Sequence, residues 1–165
     1  MKLPASLVAA RHASPLGSIL LAATDRGLAG LWFEGQRYHP PAAQWPLVPD
    51  HPVLALACRQ LDEYFSGQRT SFDLPLDLQG GTPFQQSVWQ ALLGIPPGQR
   101  TSYAALSQRI GKPAAVRAVG AAVGRNPLSI VVPCHRVVGT DGSLTGYAGG
   151  LDRKTALLKL EGALP

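Results

Sequence analysis

The sequence predicts a mixed α/β (α+β) fold in two parts: antiparallel strands plus a helix, then a helix-turn-helix with a wing-like loop. Three observations predict it. Residues 6–33 hold short apolar segments separated by turn-forming clusters, and residues 52–65 and 82–123 repeat apolar side chains at helical spacing. The third is charge: residues 1–81 carry six Lys and Arg against seven Asp and Glu, whereas residues 82–165 carry nine against three. That change and the Gln79-Gly80-Gly81 linker divide the chain into 1–81 and 82–165.

Length and composition bound the rest. At 165 residues, 45% hydrophobic, with a mean hydropathy of +0.06, the chain makes one domain or two small ones around a real core. No apolar run approaches the ~20 residues needed to cross a bilayer. Met1-Lys2-Leu3-Pro4-Ala5-Ser6 has one charge and a proline before Arg11-His12 breaks the apolar run, a poor signal peptide. A cytoplasmic, monomeric protein is expected. Two cysteines, Cys58 and Cys134, are too few for a disulfide framework or an all-cysteine zinc site, so both are expected as free thiols. The net charge of +5 comes from the second half. Such a half suits a polyanion, most simply nucleic acid, or is only a soluble basic surface.

In chain order, residues 6–12, 18–23 and 28–33 read as a meander of three antiparallel strands, split by Ser14-Pro15-Leu16-Gly17 and Thr24-Asp25-Arg26-Gly27. A polar loop runs from Glu34 to about Asp50. Leu54, Leu56, Ala57, Leu61, Tyr64 and Phe65 then mark one face of a helix over 52–65, with Cys58 as a small core residue on it. The alternation over 71–78 predicts one more strand. Thr82-Pro83-Phe84-Gln85 carries an N-cap, a first-position proline and a capping-box glutamine, opening a helix that Gly94 to Gly98 ends. Helices over 102–110 and 114–123, joined by Gly111-Lys112-Pro113, suggest a helix-turn-helix. The latter is nearly all Ala, Val and Gly, with Arg117 its only charge. It suits either a helix inserted in a groove or a close-packed core helix whose Arg117 is salt-bridged. Residues 139–150 are a glycine-rich loop with no phosphate-loop pattern, and 152–160 a final helix.

The residues that stand out are 130–138, Ile-Val-Val-Pro-Cys-His-Arg-Val-Val, read as a buried strand. A core strand accepts Cys134 readily, but His135 and Arg136 must find partners or water. A thiolate is the nucleophilic form of cysteine, so Cys134 needs a base. Neighbours on a strand face opposite ways, so His135 reaches the thiol only through a bend or a bridging water. Glu161 is the natural carboxylate to orient the imidazole, and a salt bridge is the default for Arg136.

Pro133-Cys134-His135-Arg136-Val137, with Asn126-Pro127 before it and Gly146-Tyr147-Ala148-Gly149-Gly150 after it, strongly resembles the O6-alkylguanine-DNA alkyltransferases. These are also called methylated-DNA–protein-cysteine methyltransferases. The resemblance runs from about Thr82 to Gly162 and includes Phe84-Gln85-Gln86-Ser87-Val88-Trp89, Thr101-Ser102-Tyr103 and Arg117-Ala118-Val119-Gly120. The first half matches in layout only.

The resemblance implies a ribonuclease H-like N-terminal domain and a winged helix-turn-helix. It also implies direct-reversal DNA repair: single-turnover transfer of an alkyl group from O6-alkylguanine, or O4-alkylthymine, to Cys134 after base flipping, without cofactor or metal. The partner would be double-stranded DNA carrying the alkylated base. His135, through water and backed by Glu161, would deprotonate Cys134, and Asn126 would brace the turn before it. Arg117 would fill the gap left by the flipped base, and Tyr103 would assist rotation and protonation of the leaving guanine. Ala115, Ala118 and Gly120 would lie against DNA. Pro133, Val137, Tyr147, Ala148 and Gly149 would shape the pocket, the Cys134 and Val137 carbonyls reading the base.

Some features depart from the pattern. Ala148 stands where some members have Ser, Pro96-Pro97 stiffens the loop before Tyr103, and the N-terminal half has no zinc-ligand cluster. Cys134 itself argues against the related alkyltransferase-like proteins, which carry Trp there. Two rival functions are a lesion-sensing DNA-binding protein with an inert Cys134 and a cysteine hydrolase that turns over.

Overall fold

The computed structural model describes Leu3 and residues 6–165. The stretch read against a signal peptide therefore lies mostly outside the described residues. Strands β1 (Val8–Ser14), β2 (Gly17–Thr24) and β3 (Gly27–Phe33) form the expected antiparallel meander, in the order β1-β2-β3. Gly27 is required at the β2–β3 turn. Its φ is +151°, and a Cβ there would lie 2.5 Å from the Pro75 carbonyl oxygen.

Helix α1 (Pro52–Phe65) packs on one face of the sheet through Leu54, Ala57, Leu61 and Tyr64. The other face is covered too. Leu7, Ala9, Leu20, Ala22, Ala29 and Trp32 form a second apolar cluster, roofed by Ala42 and Trp45 of the loop after β3. Residues 71–78 do not form the expected strand. Pro75 lacks a donor, and only Leu28 N–H to Pro75 O and Asp77 N–H to Leu28 O, both 2.8 Å, tie the segment to the β3 edge.

The second half opens with α2 (Pro83–Leu93), and both hydrogen bonds of the Thr82/Gln85 capping box are made. Helices α3 (Tyr103–Arg109) and α4 (Val116–Gly124) follow as the helix-turn-helix pair. Helix α4 starts two residues later than its composition suggests, because the Ala115 N–H bonds back to Lys112 O at 3.0 Å and closes a turn over 112–115 before the helix begins. Trp89 joins α2 to α4, its Nε1 donating to the Ala122 carbonyl at 2.9 Å.

The larger correction concerns 130–138, which is not a strand. Ile130 has a φ of +73°, Val132 N–H bonds back to Leu128 O, and Cys134–Arg136 is one turn of 3₁₀ helix. Only β5 (Val137–Val138) is extended, paired in parallel with β4 (Thr101–Ser102). The β-branched composition reported burial rather than backbone conformation. The glycine-rich loop leads to α5 (Leu151–Leu160) without pairing as a hairpin.

One apolar core runs through both halves, from Ile19, Leu31 and Tyr64 to Trp89, Val119 and Leu157. The backbone joins them as well: Leu31 N–H donates to Pro127 O at 2.8 Å, and Ser129 N–H to Leu31 O at 3.1 Å. These bonds occupy the β3 edge that would otherwise be unpaired. No helix among the described residues is long and apolar enough to cross a membrane.

Candidate active site

The 3₁₀ turn decides the local geometry. With three residues per turn, successive side chains diverge without alternating faces, so His135 and Arg136 both reach Glu161 at the end of α5. Glu161 accepts His135 Nε2 at 2.9 Å, Arg136 Nε and Nη2 at 2.8 Å each, and the Tyr64 hydroxyl at 2.7 Å. A water bridge from His135 would have to leave from its other nitrogen. Nδ1 is buried and has no partner among the described residues. With Nε2–H directed at a carboxylate, Nδ1 carries the free lone pair.

The charge states follow. Burial alone would raise the Glu161 pKa, but hydrogen bonds from Arg136 and His135 hold it down at about 2. Burial lowers His135 below its ordinary 6.5, against the pull of Glu161, so the imidazole is neutral at pH 7. Burial pushes the Cys134 thiol up to about 11, opposed by the Asn126 hydrogen bond and the Lys154 ammonium. Cys134 is therefore a protonated thiol beside an unprotonated base.

Asn126 braces the thiol. Its amide nitrogen lies 3.1 Å from Cys134 Sγ and 2.8 Å from the Val132 carbonyl, while its oxygen accepts the Leu128 N–H at 3.0 Å. Cys134, 5% exposed, lies at the floor of a cavity of about 380 Å³. Tyr103 and Gly120 form one wall, Tyr147 and Ala148 another. The Tyr147 hydroxyl is buried there, without a hydrogen-bond partner at bonding distance among the described residues.

Among the other expected residues, Arg117 and Ala118 are exposed on α4, and Arg117 makes no ion pair among the described residues, so its salt-bridged alternative is not realised. Ala115, at the α4 N-cap, and Gly120 are half-buried. Three pocket candidates lie elsewhere. Pro133 faces a groove beside Ile95, Gly149 a depression beside Leu16, and the Val137 carbonyl accepts the Lys154 ammonium at 2.6 Å. The Cys134 carbonyl already accepts the Val137 N–H.

Several residues at the site were not anticipated. Lys154 is fully buried and also donates to Thr145 O at 2.8 Å and Gly146 O at 3.2 Å, tying the glycine-rich loop to β5. Burial brings its pKa down to about 8. Arg37 and Tyr38 of the first half reach the cavity mouth, where Arg37 N–H donates to Ala148 O at 2.9 Å and the Arg125 guanidinium lies 3.8 Å from the Tyr38 ring centre. A signal for Lys154 existed in the sequence: it stands three and four residues before Leu157 and Leu158, on the buried stripe of α5. For Arg37 and Tyr38 there was none, since a long loop carries no pattern that predicts its packing.

Comparison with known proteins decides the family. Residues 83–163 match the family model described as "6-O-methylguanine DNA methyltransferase, DNA binding domain", and residues 7–78 its "ribonuclease-like domain". The chain belongs to the 6-O-methylguanine DNA methyltransferase family. It is 50% identical over 148 residues to the methylated-DNA–protein-cysteine methyltransferase of Mycobacterium tuberculosis, covering 90% of this chain and 88% of that one. It is 51% identical over 149 residues to the Methanosarcina barkeri protein of the same name, covering 90% and 92%. The crystal structure of Mycobacterium tuberculosis OGT in complex with DNA superposes with a TM-score of 0.86 at 46% identity, covering 94% of this chain and 92% of that one. In this 6-O-methylguanine DNA methyltransferase family member the His135 imidazole meets the Glu161 carboxylate, and the neighbouring Cys134 thiol meets the Asn126 amide.

Proposed function

We propose that this protein repairs alkylated DNA by transferring the alkyl group of O6-alkylguanine, and of O4-alkylthymine, to its own Cys134. The observation that carries the reading is Cys134 at the floor of an open cavity, held by the Asn126 amide, followed by a His135 whose Nε2 meets Glu161 and whose Nδ1 has no partner among the described residues. In the proposed reaction His135 Nδ1 takes the thiol proton through a bridging water, and Glu161 stabilises the resulting imidazolium. The sulfur attacks the alkyl carbon, the bond from that carbon to O6 breaks, and the electron pair leaves with guanine. Tyr103, at the cavity wall, supports protonation of the departing base. Nothing in this scheme breaks the thioether, so each molecule acts once.

Duplex DNA is the partner in this reading, approached by α3 and α4. The small side chains of α4, at exposed Ala118 and half-buried Ala115 and Gly120, permit close approach, and the exposed Arg117 fills the place of the extruded base. Asn126 holds the turn beneath the thiol, and Tyr147 and Ala148 flank the bound base. Residues 1–81 act as the structural domain and 82–165 as the DNA-binding and acceptor domain, of a monomer working in the cytoplasm without a cofactor.

DNA carrying labelled O6-methylguanine tests the reading. Stoichiometric label on Cys134, abolished by Cys134→Ser, is expected. Binding without label would indicate a lesion sensor instead, and catalytic release of label a hydrolase.

A further inference from the structure

The N-terminal half reaches the Glu161 carboxylate behind His135 with a polar group that comes from the middle of an apolar core. Tyr64, on the last turn of α1, is 2% exposed. Its ring is held between Phe65 and Phe72, each 5.3 Å away centre to centre. Its hydroxyl crosses to Glu161 Oε2, 97 residues further along the chain.

That oxygen is crowded. Oε2 accepts Tyr64 at 2.7 Å, Arg136 Nη2 at 2.8 Å and His135 Nε2 at 2.9 Å, whereas Oε1 accepts Arg136 Nε. A carboxylate oxygen offers about two lone-pair directions, so three donors on one oxygen compete. Each one added withdraws charge from the bonds of the others.

We propose that Tyr64 is a positioning residue for alkyl transfer: its hydroxyl shares the Glu161 oxygen that holds His135 and thereby tunes the basicity of the imidazole. The N-terminal domain in this way sets the strength of a base that belongs to the C-terminal one. Burial and the neighbouring Glu161 raise the phenol pKa well above its usual value, so the hydroxyl remains a donor throughout the working range. The other groups facing this cluster are Cys134 and Arg136 from the 3₁₀ turn, Lys154 from α5 and Tyr147 from the glycine-rich loop. Tyr64→Phe leaves all of them in place.

The sign is determined. Without the phenol, Oε2 carries more charge toward Nε2–H, the imidazolium is favoured, and His135 loses its proton at a higher pH. The inference rests on the proposed transfer to Cys134, so the measurement is the single-turnover rate of label transfer from O6-methylguanine DNA against pH, using the full chain. In Tyr64→Phe the acidic limb should move up by roughly half a pH unit or more. Site-specific 3-fluorotyrosine in place of Tyr64 keeps the shape but donates more strongly, so the limb should move down. In a Glu161→Gln background neither change should move it. A Tyr64→Phe protein that loses rate or melting temperature with the limb unmoved would overturn the proposal, as would a limb unmoved by the fluorinated residue. Nitrogen-15 NMR titration of His135 reads the same shift without any transfer. Absence of label on wild-type Cys134 would sink the proposed function, whereas an unmoved imidazole titration would sink the role of Tyr64.

Discussion

The amide nitrogen of Asn126 lies 3.1 Å from the sulfur of Cys134, and the same side chain bonds the Leu128 N–H and the Val132 carbonyl. One buried amide therefore fixes the thiol and the irregular backbone that delivers it. Asn126→Ala should leave those backbone groups without partners and cost about 2–4 kcal/mol, read from urea melts. Label transfer to Cys134 should fall more steeply than stability, because the sulfur also loses a donor that favours its thiolate. Retention of the full transfer rate would refute the bracing role.

Glu161 predicts an acid-sensitive fold. Its carboxyl is held at about 2 against an ordinary 4.5, so its contribution is present above pH 4.5 and is lost as pH falls toward 2. The shift corresponds to on the order of 3 kcal/mol. His135 adds to the loss from below pH 6.5, where the unfolded chain takes up a proton before the buried imidazole does. Glu161→Gln should be destabilised by about 3–5 kcal/mol at pH 7, since it leaves Arg136 buried opposite a neutral amide. Its stability should also vary less between pH 4.5 and 2 than that of the wild type. Parallel pH curves for the two proteins would contradict this account.

Arg117 is exposed and makes no ion pair among the described residues, so Arg117→Ala should leave the melting temperature within about 1 °C, in keeping with the small effects of surface changes. Transfer from duplex DNA should slow much more than reaction with free O6-alkylguanine. Equal slowing in both assays would remove its assignment to the vacated base position.

Gly81, at the end of the linker, faces the Trp89 ring so closely that a Cβ would stand 2.3 Å from Cζ3. Gly81→Ala should force the indole to shift and strain its bond to Ala122, costing about 1–3 kcal/mol in a denaturant melt. A neutral result would mean that the linker yields at this contact.

Much of this architecture was legible because it is governed by local rules. The β1–β3 meander, the Thr82-Pro83-Gln85 capping box and the α1 stripe each have a spacing or end signal within a few residues. What was not legible depends on groups far apart in the chain. The strand expected over 130–138 failed because Asn126 and a left-handed Ile130 override a β-branched run. The Arg136 salt bridge was foreseen in kind, but the four donors around Glu161 come from α1 and the 3₁₀ turn, both far from it in the chain. Nothing in the local pattern at Tyr64 indicates that its hydroxyl does more than close a core helix.

The 3₁₀ turn at Cys134–Arg136 has a consequence for a reagent used only once. The amide of Asn126 and the packed backbone close the sulfur from below, and Arg136 is pinned to the neighbouring carboxylate. The cavity is the one direction left open. A group bonded to the sulfur would remain on the cavity side, where it arrived, with the Asn126 amide held against the sulfur from the other. Permanence would then belong to the packing as well as to the carbon–sulfur bond, and a floor that never has to release a product can be rigid.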